Sequence, residues 1–263
     1  MTTHQPLRGR IFVVTGATGG LGAAICEAAA AAGASVVIGF NQSPHAALSL
    51  AEALPTAVGA QHLPIALPVT DTQALRMGAA CVADCFDHVD VLVNCASTTR
   101  VVPHHDLDAL DDALFDDILS TNIRGPFATV RAFRTLLERA VDGLVINVSS
   151  TAAQTAIGSN IAYCASKAAL DNMTLSMARA LAPRIRVVSV SSNSADIGFL
   201  KAEDQSFRQL QCWRMPLGKL ASADDVADAV LAAVTLKFTT GTVLPVDGVH
   251  PFLLIRPSKD ERS

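Results

Sequence analysis

A chain of 263 residues, half of them hydrophobic, has enough apolar material for one large α/β core or two small ones. The formal net charge of -4 and the sequence pI of about 5.9, with lysines and arginines scattered along the chain, give a nucleic-acid partner no electrostatic footing. No apolar run approaches the ~18 residues of a membrane helix. Met1 to Arg10 is polar, carries Pro6 and has no apolar signal core, so a cytoplasmic protein without membrane contact is expected.

The cysteines, Cys26, Cys81, Cys85, Cys95, Cys164 and Cys212, lack the spacing of a paired metal site, and no disulfide framework is expected. Cys81 and Cys85, four residues apart on an expected helix, read as small buried hydrophobes. His104 and His105, followed by Asp106, read as a polar loop, so no metal site is expected.

Strand and helix signals alternate along the chain. Ile11 to Val14 is an apolar strand that runs into a glycine-rich turn. Leu21 to Ala32 is an Ala-rich helix stopped by Gly33. Ser35 to Phe40 is a second strand, and Pro44 to Leu54 a helix with Ser43 as N-cap and Pro44 at its first position. Gln61 to Leu67 is a weaker strand, Asp71 to Phe86 a helix and Val89 to Val93 a fourth strand. Leu107 to Leu119 and Ile123 to Arg139 read as helices, Leu144 to Val148 as a strand and Ile161 to Leu181 as a long helix ending at Pro183. Ile185 to Val190, Ala223 to Val234 and Val243 to Val246 follow as strand, helix and strand.

The strands are continuously apolar, which places them in a parallel sheet covered on both sides. The expected fold is a single α/β domain over residues 1–263: a doubly wound, Rossmann-like parallel sheet of about seven strands with helices on both faces. Asn193 to Met215 breaks the rhythm and reads as a substrate loop or lid.

Thr15-Gly16-Ala17-Thr18-Gly19-Gly20-Leu21-Gly22 joins the first strand to the first helix. Glycines there let the backbone turn tightly and approach a phosphate. The helix N-terminus behind them offers free N–H groups to a pyrophosphate. Tyr163 and Lys167, four apart on a helix, share a face. A phenol titrates near pH ~10, so a tyrosine acting as base near neutrality needs a nearby cation, which Lys167 supplies. Ser149 and Ser150 close a strand, and either hydroxyl is placed to orient a carbonyl or alcohol oxygen.

The spacing T-G-x-x-x-G-x-G resembles the short-chain dehydrogenase/reductase family in its single-domain, classical branch. The likeness continues in order through Asn94-Cys95-Ala96, Asn122, Ser149-Ser150, the Y-x-x-x-K of Tyr163 to Lys167, and Val246-Asp247-Gly248, so it spans nearly the whole chain. It implies a reversible oxidoreduction between a nicotinamide cofactor and a small-molecule carbonyl or alcohol, with Asn122, Ser150, Tyr163 and Lys167 as the catalytic set. The thirteen-residue spacing to Tyr163 found in similar enzymes selects Ser150 over Ser149. Lys167 would lower the tyrosine pKa and hold the nicotinamide ribose, and Asn122 would support a water-linked proton relay. The cofactor would touch Gly16, Thr18, Gly19, Gly20, Leu21, Gly22, Asn41, Asn94, Ala96, Tyr163, Lys167 and Ile197. The resemblance also implies a homotetramer or homodimer built on the two long helices.

Several positions depart from the family pattern. Ser97 stands where glycine is usual, as in some pteridine-reductase-like members. Pro68 replaces an adenine-contacting Asp, Ser192-Asn193 replaces P-G, and Ile197 replaces a carboxamide-binding Thr. The second strand ends at Phe40, Asn41, Gln42 and Ser43 without a carboxylate to repel a 2′-phosphate, which favours NADP(H) over NAD(H). Against this, Gly19 stands where many NADP-using members carry Arg or Lys, leaving His45 as the nearest cation. A 3-oxoacyl-carrier-protein reductase would want basic groups at the cleft mouth, with Arg100, Arg124 and Arg131 as candidates. A non-catalytic dinucleotide sensor or scaffold on the same fold is the alternative, and a sugar-nucleotide epimerase sharing Y-x-x-x-K ranks third. Phe199, Phe207, Trp213 and Met215 suggest an apolar substrate wall, and Val249 to Ile255 a second interface.

Overall fold

The computed structural model describes residues 5–193, 212, 213 and 215–248. Seven strands form one sheet: β1 (Ile11–Thr15), β2 (Ser35–Phe40), β3 (His62–Ala66), β4 (Val91–Asn94), β5 (Gly143–Ser150), β6 (Ile185–Ser192) and β7 (Val243–Val246). They lie in the order β3-β2-β1-β4-β5-β6-β7, with every pairing parallel. Parallel pairing forces crossovers, and eight helices are described: α1 (Gly20–Ala31), α2 (Pro44–Ala53), α3 (Thr72–Cys85), α4 (Asp112–Leu119), α5 (Gly125–Arg139), α6 (Ala152–Thr155), α7 (Ile161–Leu181) and α8 (Ala223–Thr235). The chain order reverses between β1 and β4, the position at which doubly wound sheets open a crevice at the strand carboxyl ends.

The continuous burial of β1 and β4 agrees with their apolar sequences. On one face, Phe12, Val14, Ile38 and Ile146 pack against Ile25 of α1, Ala47 of α2 and Val230 of α8. On the other, Val13, Leu92 and Val145 pack against Leu75 of α3, Phe133 of α5 and Met177 of α7. Pro64 is tolerated in β3 because β3 is an edge strand.

The differences from expectation have local causes. The strands that carry the crevice run one or two residues longer, because Thr15 pairs with Asn94 and Ser150 with Ser192 at their carboxyl ends. The helix expected from Leu107 begins at Asp112. The Asp106 carboxylate first closes a turn by accepting from Ala109 N, and Asp111 caps the helix by accepting from Leu114 N at 2.8 Å. α4 and α5 are joined through a π-helical turn, Ser120–Arg124. Ser43 makes no side-chain cap, so Pro44 alone favours the start of α2. The short α6 was not foreseen. Cys81 and Cys85 are exposed, correcting the reading of them as buried, because they lie off the stripe of α3 that carries Leu75, Ala79 and Val82. Most of the expected loop at 193–215, with Phe199 and Phe207, and the segment Val249 to Ile255 lie outside the described residues.

Candidate active site

A cleft of about 800 Å³ opens over the carboxyl ends of β1, β4, β5 and β6. At one end the turn after β1 lines it with Gly16, Thr18, Gly19, Gly20, Leu21 and Gly22. Gly16 has φ +64, and a Cβ there would lie 2.7 Å from the Ala96 Cα, so the turn packs directly on the chain leaving β4. A Cβ on Gly22 would collide with the Gly16 carbonyl, so helix α1 can start hard against the turn only with glycine. The first turn of α1 has no side-chain cap and no acidic residue, leaving its N–H groups for an anion. Asn41 and Gln42 extend this end of the cleft beyond β2. The donor set and the glycine cradle fit a dinucleotide pyrophosphate.

At the other end, β5 and α7 bring Ser150, Tyr163 and Lys167 into the same cleft. Burial raises the Tyr163 phenol above its ordinary value, and the Ser150 hydroxyl hydrogen-bonded to it pulls it partly back. Lys167 is 4% exposed and donates from Nζ to the Val148 carbonyl at 2.9 Å. Its ammonium lies 5.6 Å from the centroid of the Tyr163 ring. Burial lowers Lys167 to about 8, against the opposing influence of Cys95 and Asp171. In the chain alone the Nζ is turned onto β5, and the hydroxyl of Ser150 is the group that pulls the phenol down. Ser150 Oγ also accepts from the N–H of Ala152, the first residue of α6, at 3.2 Å.

Asn122 is 1% exposed inside the π-helical turn. Its amide donates to the Thr98 carbonyl and to Ser166 Oγ, and its Oδ1 accepts from Ser97 Oγ and Thr98 N. Every hydrogen-bonding position of that side chain is used within the protein. Asn122 therefore holds the segment after β4 against α7 through its side chain. Ser97, where glycine is usual, is engaged in the same bond. Asn94 is not among the residues lining the cleft: its side chain is 3% exposed and donates to Asn147 Oδ1 at 2.8 Å. Ala96 lines the cleft as expected, and Ile197 lies outside the described residues.

Two positioning residues escaped the sequence reading. Asn160 caps α7 by accepting from Tyr163 N at 2.7 Å, and its amide donates to Thr99 Oγ1 and to the Arg100 carbonyl. It thus fixes the start of α7, which carries Tyr163 and Lys167, to the loop after β4. An Asn directly before an apolar helical run is an N-cap signal, which was there to be read. Thr15 Oγ1 accepts from Cys95 N and Ala96 N, tying the glycine turn to β4. No sequence pattern announces that contact, because it joins residues 80 apart.

Among the described residues no group of three or more His, Cys, Asp or Glu could hold a metal ion, and no helix is long and apolar enough to cross a membrane. A family model described as short chain dehydrogenase matches residues 10–205. The chain belongs to the short-chain dehydrogenase family. It is 33% identical over 248 residues to an L-rhamnose 1-dehydrogenase (NAD(P)(+)) of Azotobacter vinelandii, covering 91% of this chain and 95% of that one. It is 32% identical over 245 residues to a 3-oxoacyl-acyl-carrier-protein reductase of Escherichia coli, covering 91% and 96%. A short chain dehydrogenase of Burkholderia cenocepacia, solved in complex with NADP, superposes with a TM-score of 0.82 at 32% identity, over 92% of this chain and 98% of that one. As a classical short-chain dehydrogenase/reductase, the protein is an NAD(P)-dependent oxidoreductase. The sensor or scaffold alternative finds no support in these relatives.

Proposed function

We propose that the chain interconverts a small-molecule carbonyl and its alcohol with Tyr163 as general acid/base and Ser150 as the group that orients the substrate oxygen. The supporting observation is that Ser150, Tyr163 and Lys167 share one cleft with the glycine turn. The nicotinamide cofactor supplies the hydride chemistry when bound, and Tyr163, Lys167 and the turn residues Gly16 to Gly22 would hold it. The buried phenol keeps its proton at neutral pH, which suits delivery to a carbonyl oxygen during reduction. Ser150 donates to that same oxygen and stabilises the negative charge it gains. In oxidation the proton returns to Tyr163. Lys167, protonated below about 8, favours the phenolate left after proton transfer.

Asn122 serves the reaction through its backbone. Pro126, four residues on, has no N–H to give the Asn122 carbonyl, and in this reading that oxygen takes the water of the proton relay.

NADP(H) is the preferred cofactor in this reading, because Asn41 and Gln42 place neutral donors, and no carboxylate, at the ribose end of the cleft. The NADP complex of the Burkholderia relative supports the same choice. A carrier-protein substrate is less favoured than a free small molecule. Arg100 donates to the Ala109 carbonyl, Arg124 to the Thr70 carbonyl, and Arg131 to Thr72 Oγ1 while lying over the Phe127 ring. We place the protein in the cytoplasm as a homotetramer or homodimer. Exposed Phe127 on α5, with Ile161 and Leu175 on α7, supports assembly through those helices.

The test is Tyr163→Phe with sugars, 3-oxoacyl thioesters and pterins as substrates and each reduced cofactor in turn. Turnover should fall about 10²- to 10⁴-fold while cofactor fluorescence on binding persists. Unchanged turnover would remove Tyr163 from the chemistry.

A further inference from the structure

Helix α7 carries Tyr163, Lys167 and Asp171 at four-residue steps, which stacks them along one face. The first two are assigned above, and the third has had no role. Asp171 Oδ1 is enclosed and completes no hydrogen bond, and neither does the enclosed Ser149 Oγ of β5. Burial raises the Asp171 carboxyl above its ordinary value, while the Ser149 and Ser189 hydroxyls beside it and the charge of Lys167 favour its ionised form. The surrounding seam is polar and continuous. Asn94 donates to Asn147, Asn147 donates to Thr174 Oγ1 at 2.8 Å, and Thr174 Oγ1 lies 2.8 Å from Ser189 Oγ. The Val148 carbonyl that seats Lys167 sits between Asn147 and Ser149 in the same strand.

Lys167 forms no ion pair among the described residues, although it is 4% exposed. The groups facing it are few. Its own helix contributes Tyr163 and Asp171, and the end of β4 contributes Cys95. From β5 the Val148 carbonyl meets it, the uncharged Ser149 and Ser150 line the same cleft, and β6 adds neutral Ser189 beside Asp171. Burial pushes the Cys95 thiol up to about 11 and raises the phenol as well, so both are neutral where Lys167 titrates. Asp171 is then the anion that acts on the ammonium.

We propose that Asp171 is a positioning residue for the reaction: its carboxylate, one turn along α7, is the counter-charge that keeps Lys167 protonated and seated on the Val148 carbonyl. The proposal rests on the reading of Lys167 given under the proposed function. Asp171 touches neither substrate nor cofactor in this role.

Asp171→Asn keeps the shape of the side chain and removes its charge. An anion raises the pKa of a nearby ammonium, so without it Lys167 deprotonates at lower pH. The alkaline limb of kcat/KM for reduction should move to lower pH by roughly two units, the order expected for a charge one helical turn away at an effective dielectric near 20. Asp171→Glu should hold the limb near its native position. A purely structural Asp171 would lower the melting temperature of Asp171→Asn and leave the limb in place, and that result overturns the proposal. The native, cofactor-free chain gives a second reading that needs no variant and no turnover. The ¹³C carboxyl resonance of Asp171 should shift again where Lys167 loses its proton, and a resonance flat through that range overturns the proposal too. That second shift, found together with a fully active Tyr163→Phe protein, would uphold the charge pair while removing the catalytic reading.

Discussion

The two faces of the sheet are built on different terms. Beneath α1, α2 and α8 the packing is apolar through its middle, with Phe12, Ile25, Ile38 and Ile146 fully buried, and buried Arg186 at its edge donates to the Ala233 and Leu236 carbonyls. Beneath α5 and α7 the packing starts the same way, at Val13, Leu92 and Phe133. It then turns polar toward the strand carboxyl ends, where Asn94, Asn147, Thr174 and Ser189 are all at most 3% exposed. The first face stabilises by removing apolar area from water. The second gives up part of that gain to fix polar side chains under Tyr163 and Lys167, because a buried polar group is tolerated only when its partners are held in place.

The comparison can be tested from the largest effect down. Phe133→Ala opens a cavity in the apolar part of the α5 face and should cost about 3–5 kcal/mol in urea unfolding, leaving the pH profile of turnover unmoved. Thr174→Val keeps the volume but strands the Asn147 amide and the Ser189 hydroxyl. It should cost about 1–3 kcal/mol, where an apolar replacement on the other face would be nearly neutral. An equally neutral Thr174→Val would show that the seam needs no partners. Gly22→Ala drives a Cβ into the Gly16 carbonyl and shifts the turn, so the cofactor dissociation constant should rise about tenfold, or ~1.4 kcal/mol, with a smaller change in unfolding.

The smallest effect lies at the far end of the sheet, at Asp142. Burial there works to raise the carboxyl, but hydrogen bonds from Arg186 and Lys237 prevail and hold it at about 2. With a folded value below the unfolded one near ~3.9, its contribution is present above about pH 4 and fades as pH falls toward 2. Asp142→Asn should flatten that acid-limb slope in a thermal-melt series and modestly lower the melting temperature at pH 7, where the contribution is fully present.

The fold was readable because its information is local. Continuous apolar runs such as Ile11 to Val14 and Val91 to Val93 give buried strands, and Gly33 stops α1 with φ +96. The cluster of Ser150, Tyr163 and Lys167 was readable because Tyr163 and Lys167 sit at helical spacing and Ser150 closes a strand. What stayed hidden depends on tertiary partners. Asn94 has the sequence of a cleft residue, but parallel pairing with β5 turns its amide onto Asn147. Asn122 has the spacing of a relay residue, yet its side chain is consumed by Ser97, Thr98 and Ser166, whose distances in sequence carry no period. The π-helical turn that presents it follows from no propensity of Ser120 to Arg124. Asp171 had the same four-residue signal as Lys167, but only the enclosure of its Oδ1 sets it apart from a surface carboxylate.

The account turns on one cleft serving both the glycine turn and the Ser150, Tyr163 and Lys167 cluster. A crystal structure of the chain grown with NADP(H) tests that directly. The pyrophosphate should lie at the N-terminus of α1, and the nicotinamide ribose should fall within hydrogen-bond reach of Tyr163 and Lys167. A cofactor bound elsewhere, or one whose nicotinamide end leaves Tyr163 uncontacted, would contradict the account.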